Sequence, residues 1–205
     1  MTPDIVVFDI GNVLIEWQPE RTYTDVFGPD RAAAFFRDVP IHRTHLGVDA
    51  GAKFATILDL IEDYPDYTDE IRFWVEGWSR LASRRIDRSI RLMRALQAQG
   101  IPVWALTNFG EEPFETSCID HPFLTEFDGA VVSGRIGLIK PDPAIYQALE
   151  EAVGTRGAKI LFTDDRPENI DAARARRWQV HLFDGPEGWA ECLVQAGLLT
   201  AEQAA

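Results

Sequence analysis

The chain has 205 residues, 46% hydrophobic and 26% charged, a balance that suits one globular domain carrying a substantial insertion. Its formal net charge of −13 opposes binding to a phosphate backbone or an anionic membrane surface, so nucleic acid is a poor partner. Cys118 and Cys192 are the two cysteines, and they lack the spacing of a zinc site or a disulfide framework. No apolar stretch approaches the ~20 residues that cross a bilayer. The opening MTPDIVVFDI places an acid before its apolar run and has no basic leader, so a cytoplasmic protein without membrane partners is expected.

Ile5-Val6-Val7-Phe8 reads as a strand buried on both faces, ended by Asp9 and the Gly11-Asn12 turn. From about Glu16 to Arg84 no strand pattern follows. Helical stripes do, including Ile71, Trp74, Val75, Trp78 and Leu81 after the acidic first turn Asp69-Glu70. A loop of some seventy residues is physically implausible, so this block is expected to be an inserted helical cap, 16–84. Apolar strand runs then recur at Ile101 to Leu106, Ala130 to Val132, Ile160 to Phe162 and Val180 to Phe183. Between them lie helical patterns. Ile86, Ile90, Met93 and Leu96 form one stripe before Gly100; Asp142-Pro143 starts a second helix that Gly154 stops; Pro167 starts a third. The alternation predicts an α/β fold, a Rossmann-like parallel sheet with helices on both faces, built from residues 1–15 and 85–205.

In such sheets, ligands bind beyond the carboxyl ends of the strands. Asp9 follows the first strand, Thr107-Asn108 the second, and Asp164-Asp165 the fourth; Lys140 stands just before a helix. If these strands are neighbours, the polar residues meet in one crevice. Asp9 can then serve as a carboxylate nucleophile, and Asp9 with Asp165 can hold a hard dication through oxygen. Lys140 and the Thr107 hydroxyl can hold the oxygens of a phosphoryl group, and phosphoryl transfer needs little beyond such positioning and electrostatics. Taken singly, Asp9 is equally a strand-end turn residue, Thr107-Asn108 a simple turn, and Asp164-Asp165 a helix start.

Together, Asp9-Ile10-Gly11-Asn12-Val13-Leu14, Leu106-Thr107-Asn108, Lys140-Pro141-Asp142 and Thr163-Asp164-Asp165-Arg166-Pro167-Glu168-Asn169-Ile170 resemble the four ordered motifs of the haloacid dehalogenase superfamily. The resemblance covers nearly the whole chain and is nearest to the small-cap sugar-phosphate phosphatase subgroup. It implies a Mg²⁺-dependent phosphatase of small phosphorylated metabolites, acting through an aspartyl-phosphate at Asp9. It further implies that Thr107 and Lys140 bind the transferred group and that Asn108 contacts substrate. The metal would fall to Asp9, the Gly11 carbonyl, Asp164 and Asp165, with Asp165 the direct carboxylate ligand of the pair.

One position departs from the pattern. Phosphatases of the family carry a second Asp, which protonates the leaving group, where this chain has Gly11. Loss of such an acid costs about 10²–10⁴ in rate. The departure keeps two other readings open. One is a metal-free 2-haloacid dehalogenase with an aspartyl-ester intermediate, since halide leaves without a proton. The other is a catalytically impaired scaffold that binds a ligand or partner. His42 and His45 in the expected cap are candidate replacement donors, Trp17 a candidate lining residue, and Trp74 and Trp78 are assigned to the cap core. Substrate identity and oligomeric state are left open by the sequence.

Overall fold

The structure, a computed structural model, describes residues 2–205. Five parallel strands form one sheet in the order β3-β2-β1-β4-β5: β1 (Ile5–Phe8), β2 (Val103–Thr107), β3 (Gly129–Val132), β4 (Ile160–Asp164) and β5 (Gln179–Leu182). The order reverses at β1, which pairs with β2 on one side and β4 on the other. All four residues of β1 are buried, as a strand enclosed by neighbours and covered on both faces must be. Their side chains alternate between two cores. Val6 and Phe8 join one with Val103, Ala105 and Leu161; Ile5 and Val7 join the other with Leu106, Ile160 and Phe162.

Between β1 and β2 the chain forms α1 (Pro19–Phe27), α2 (Pro29–Asp38), α3 (Ile41–Asp49), α4 (Leu60–Asp63), α5 (Thr68–Glu76), α6 (Trp78–Leu81) and α7 (Asp87–Ala98). After β2 come α8 (Glu111–Asp120), α9 (Ser133–Ile136), α10 (Pro143–Val153), α11 (Pro167–Ala175) and α12 (Pro186–Gln195). The helix signals have their physical counterparts. The Asp142 carboxylate accepts from the Ala144 amide at 2.8 Å as the N-cap of α10, and Gly154 closes that helix at φ +68°. Gly100 likewise takes φ +73° after α7.

One helix expectation needs correction. The stripe from Ile71 to Leu81 is shared by two helices, α5 and α6, broken at Gly77. A Cβ at Gly77 would meet the Phe73 ring at 2.5 Å, so the ring packs where a longer residue would sit. The helices from α1 to α6 leave and rejoin the sheet at one narrow crossing. There the Glu16 amide donates to the Arg84 carbonyl and the Ile86 amide to the Leu14 carbonyl, both at 2.8 Å. An aromatic cluster fills their interior: Tyr23 stacks on Phe35 with centroids 4.9 Å apart and meets Phe73 edge-on at 5.3 Å.

Candidate active site

Parallel strands all present their carboxyl ends at one edge, and β1, β2 and β4 are adjacent. Asp9, Thr107 and Asp164-Asp165 therefore emerge side by side at the point where strand order reverses. Asp9 is anchored by its own amide donating to the Thr163 carbonyl at 2.9 Å. Its Oδ1 accepts from the Ile10 amide at 2.7 Å and lies 2.8 Å from Lys140 Nζ. Among the described residues, Oδ2 has no hydrogen-bond donor, which leaves one carboxylate oxygen facing the cavity.

Lys140 is the buried counter-charge. Its ammonium donates to Asp164 Oδ2 at 2.7 Å and to the Leu106 carbonyl at 2.9 Å, besides Asp9. Burial works against its charge, but Asp164 and Asp9 outweigh that and hold its pKa above the ordinary lysine value. Asn108 places it. The Asn108 side chain accepts from the Lys140 amide at 2.7 Å and donates to the Lys140 carbonyl at 2.9 Å. Asn108 lines the cavity, but most of its hydrogen-bonding capacity is committed to the Lys140 main chain.

Asp164 and Asp165 divide sharply. Asp164 is fully enclosed. Its Oδ1 takes the Arg166 amide and Asn169 Nδ2, both at 2.9 Å, while Oδ2 takes Lys140 and, at 3.0 Å, Asn169 again. With both oxygens engaged and the side chain off the cavity wall, Asp164 is poorly placed as a direct ligand. Asp165 lines the cavity, and Asn12 Nδ2 steadies its Oδ2 at 2.9 Å.

Among the described residues, Asp9, Asp164 and Asp165 offer carboxylate oxygens within 4.8 Å of one another. Three acids this close, with one lysine among them, carry surplus negative charge. Burial, then Asp164 and Asp165, push the Asp9 carboxyl up to about 7 against the pull of Lys140. Burial and Asp164 likewise raise Asp165, against the hydrogen bond from Asn12. Surplus charge and all-oxygen donors are what a hard dication neutralises, so the residues present fit Mg²⁺. Asp9, Asp165 and the Gly11 carbonyl would hold it.

The cavity above these groups is about 440 Å³. The sheet supplies its floor with Asp9, Thr107 and Asp165; the connection after β1 supplies Trp17, and the helices that follow supply His42, His45, Leu46, Asp49 and Trp78. Trp78, expected only as core, is buried and also lines this wall. His45 packs beside Trp17 and Trp78, inclined to them by 21° and 24° with centroids 5.8 and 5.5 Å away, and the two tryptophans touch each other at 5.2 Å. Trp74 Nε1 donates to His45 Nδ1 at 3.1 Å, so the ring proton sits on Nε2. Burial and then His42 pull the His45 pKa down to about 4, and a neutral ring of this kind is a poor acid. His42 is exposed and paired with Glu20 at 3.0 Å.

Three contributors carry no prior assignment. Asn12 and Asn169 lie inside the sequence motifs, and Asn12 takes φ +54°, a conformation Asn tolerates better than most residues. Asp49 had no motif signal beyond its i,i+4 spacing from His45.

Residues 3–175 match the family of haloacid dehalogenase-like hydrolases. The chain belongs to this family. Over parts of its length this hydrolase resembles curated phosphatases. It is 34% identical over 88 residues to a sesquiterpene phosphatase of Aspergillus oryzae, covering 43% of this chain and 45% of the relative. It is 33% identical over 120 residues to a phosphatase of Mycobacterium tuberculosis, covering 51% and 55%. The matches thus span about half the length of these relatives. Among solved structures, its fold is similar to a haloacid dehalogenase-family enzyme of Bacteroides thetaiotaomicron in complex with magnesium and inorganic phosphate. That match has TM-score 0.66 and 18% identity, covering 93% of this chain and 98% of the other. An L-2-haloacid dehalogenase is similar too, at TM-score 0.63 and 15% identity, over 90% and 86%. Among the described residues, no helix of this hydrolase is long and apolar enough to cross a membrane.

Proposed function

We propose that this hydrolase is a Mg²⁺-dependent phosphatase of small phosphorylated metabolites, working through an aspartyl-phosphate on Asp9. The observation that carries the reading is the convergence of Asp9, Asp164 and Asp165 around Lys140 at the sheet's switch point. A bound dication would neutralise the carboxylates and polarise the phosphoryl oxygens. Asp9 Oδ2 attacks phosphorus while Oδ1 stays fixed by the Ile10 amide and Lys140. The P–O bond to the alcohol breaks, and water later releases phosphate from Asp9. Lys140 balances charge on the phosphoryl oxygens, and the Thr107 hydroxyl at the end of β2 binds one of them. Asp164 orients Lys140, and Asn108 fixes the Lys140 backbone.

Residues 16–84 act in this reading as a cap that closes the cavity and selects the substrate. The cavity volume suits a small metabolite, and its wall of Trp17, Leu46 and Trp78 favours an ester with some apolar surface. The relatives' phosphatase activities support the class of reaction and leave the substrate open.

Gly11 gives specific support to a second reading, a 2-haloacid dehalogenase, because that reaction needs no acid at this position. The acidic cluster opposes it, since an anionic haloacid would enter a site already in surplus of negative charge. Phosphate esters and 2-haloacids assayed in parallel, with Mg²⁺ and with chelator, separate the readings. Mg²⁺-dependent phosphate release that Asp9→Asn abolishes is the expected result. Chelator-resistant halide release would replace it with the dehalogenase, and ligand binding without turnover would leave a scaffold.

A further inference from the structure

We propose that Asp49, at the end of α3, gives the leaving-group oxygen its proton and afterwards takes one from the hydrolytic water, supplying from the helical insert the carboxyl group that Gly11 lacks. This rests on the phosphatase reading above. The place beside the nucleophile is open: among the described residues, a Cβ at Gly11 would meet Trp17 alone, at 4.0 Å. Some other wall group must therefore handle the proton, and the wall offers few. Glu20 and His42 are exposed and paired with each other. His45 has Nδ1 engaged by Trp74. Asp165 is held by Asn12 next to the carboxylates of the floor.

Asp49 differs from all of these. It lines the cavity, yet its Oδ1 is buried without a hydrogen-bond partner, a costly state for a carboxylate and a mild one for a carboxylic acid. His45 Nε2 on the same helix lies 3.6 Å from Oδ1. The Gly110 amide ahead of α8, Lys140 ahead of α10 and Arg166 ahead of α11 favour its charged form. Asp9 at the end of β1 disfavours it. Burial dominates and raises the carboxyl to about 7, so both protonation states are populated at neutral pH, which suits a group that must donate and then accept.

The proton inventory closes. In the first step the Asp9 oxygen bonds to phosphorus, the ester P–O bond breaks, and its electron pair takes the Asp49 proton, giving alcohol, aspartyl-phosphate and the Asp49 carboxylate. In the second, water oxygen bonds to phosphorus as its proton passes to Asp49. The bond from phosphorus to Asp9 then breaks, releasing phosphate and restoring both side chains.

The test uses the leaving group. An alkyl phosphate needs the proton, whereas p-nitrophenyl phosphate expels a stable phenolate without it. With the Mg²⁺-loaded protein, Asp49→Asn should slow alkyl phosphate hydrolysis by about 10²–10⁴-fold. It should keep the p-nitrophenolate burst within a few-fold of wild type, followed by a slow steady state. Asp49→Glu should recover part of the alkyl phosphate rate, and thermal melts of both variants report folding. Equal slowing of the burst and of the alkyl ester, or no slowing of either, overturns the role of Asp49 while leaving the phosphatase reading intact. Wild-type protein that releases phosphate from neither ester overturns both.

Discussion

His45 offers a quantitative check on the wall that surrounds Asp49. Its ring is buried against Trp17 and Trp78, with its pKa lowered from 6.5 to about 4 by burial and then by His42. A depressed histidine pKa means that the unfolded chain takes up a proton below 6.5 while the native chain stays neutral until about 4. Stability is therefore full above pH 6.5 and falls as pH drops through that window. Over the interval from 6.5 to 5, at about 1.4 kcal/mol per pH unit, the loss from this group is about 2 kcal/mol. In a chain of this length that corresponds to roughly 4–8 °C in Tm.

Asp49 and Asp9, whose pKa values are raised, act in the opposite direction, so wild type alone gives a mixed signal. The comparison with His45→Asn isolates the histidine. Asn keeps an acceptor for Trp74 Nε1 but leaves a void beside the two tryptophans, a cost of about 1–3 kcal/mol that does not vary with pH. Urea unfolding of both proteins in chelator should therefore show a gap at pH 8 that narrows by about 2 kcal/mol at pH 5. A gap of constant size would refute a neutral, desolvated His45, and with it the exclusion of this residue as the acid.

Other residues give sharper yes-or-no outcomes. Lys140→Met removes the cation that touches both Asp9 and Asp164, so phosphate release should vanish and stability should fall by about 3–5 kcal/mol at pH 8, read by urea unfolding. Asn108→Leu strips two hydrogen bonds from the Lys140 main chain. It should destabilise by about 1–3 kcal/mol per orphaned group and lower kcat more than it raises KM, measured by steady-state kinetics. Gly134→Ala should destabilise strongly in a thermal melt, because the added Cβ would come within 2.5 Å of the Glu111 amide, which is backbone and cannot swing aside. Asp9→Asn should fold normally yet trap no phosphorylated protein after a rapid acid quench with substrate.

The sheet was legible from local sequence because a strand buried on both faces has to be continuously apolar, and Ile5–Phe8 and Ile160–Phe162 are. The polar residues that interrupt those runs marked the carboxyl edge. Asp9, Thr107 and Asp164-Asp165 were therefore found without knowing the strand order, although only the order 3-2-1-4-5 brings them together. Strand and helix limits were less legible. Nothing in the periodicity of Ile71 to Leu81 reveals that the Phe73 ring occupies the space beside Gly77.

Sequence by itself thus determined the α/β class and the chemical types available at the strand ends, since both follow from periodicity and from which residues stop it. Tertiary structure alone decided how those groups divide the work. Asp164 and Asp165 are neighbours in the chain, yet one is enclosed and saturated while the other faces the cavity, because successive residues at a strand end point in different directions. It also decided that Asp49, one acid among the many behind the net charge of −13, lies half-buried on the cavity wall with an Oδ1 that has no hydrogen-bond partner among the described residues. The ionisation of a carboxyl group depends on solvent access and on neighbours distant in the chain, and neither is written at its own position.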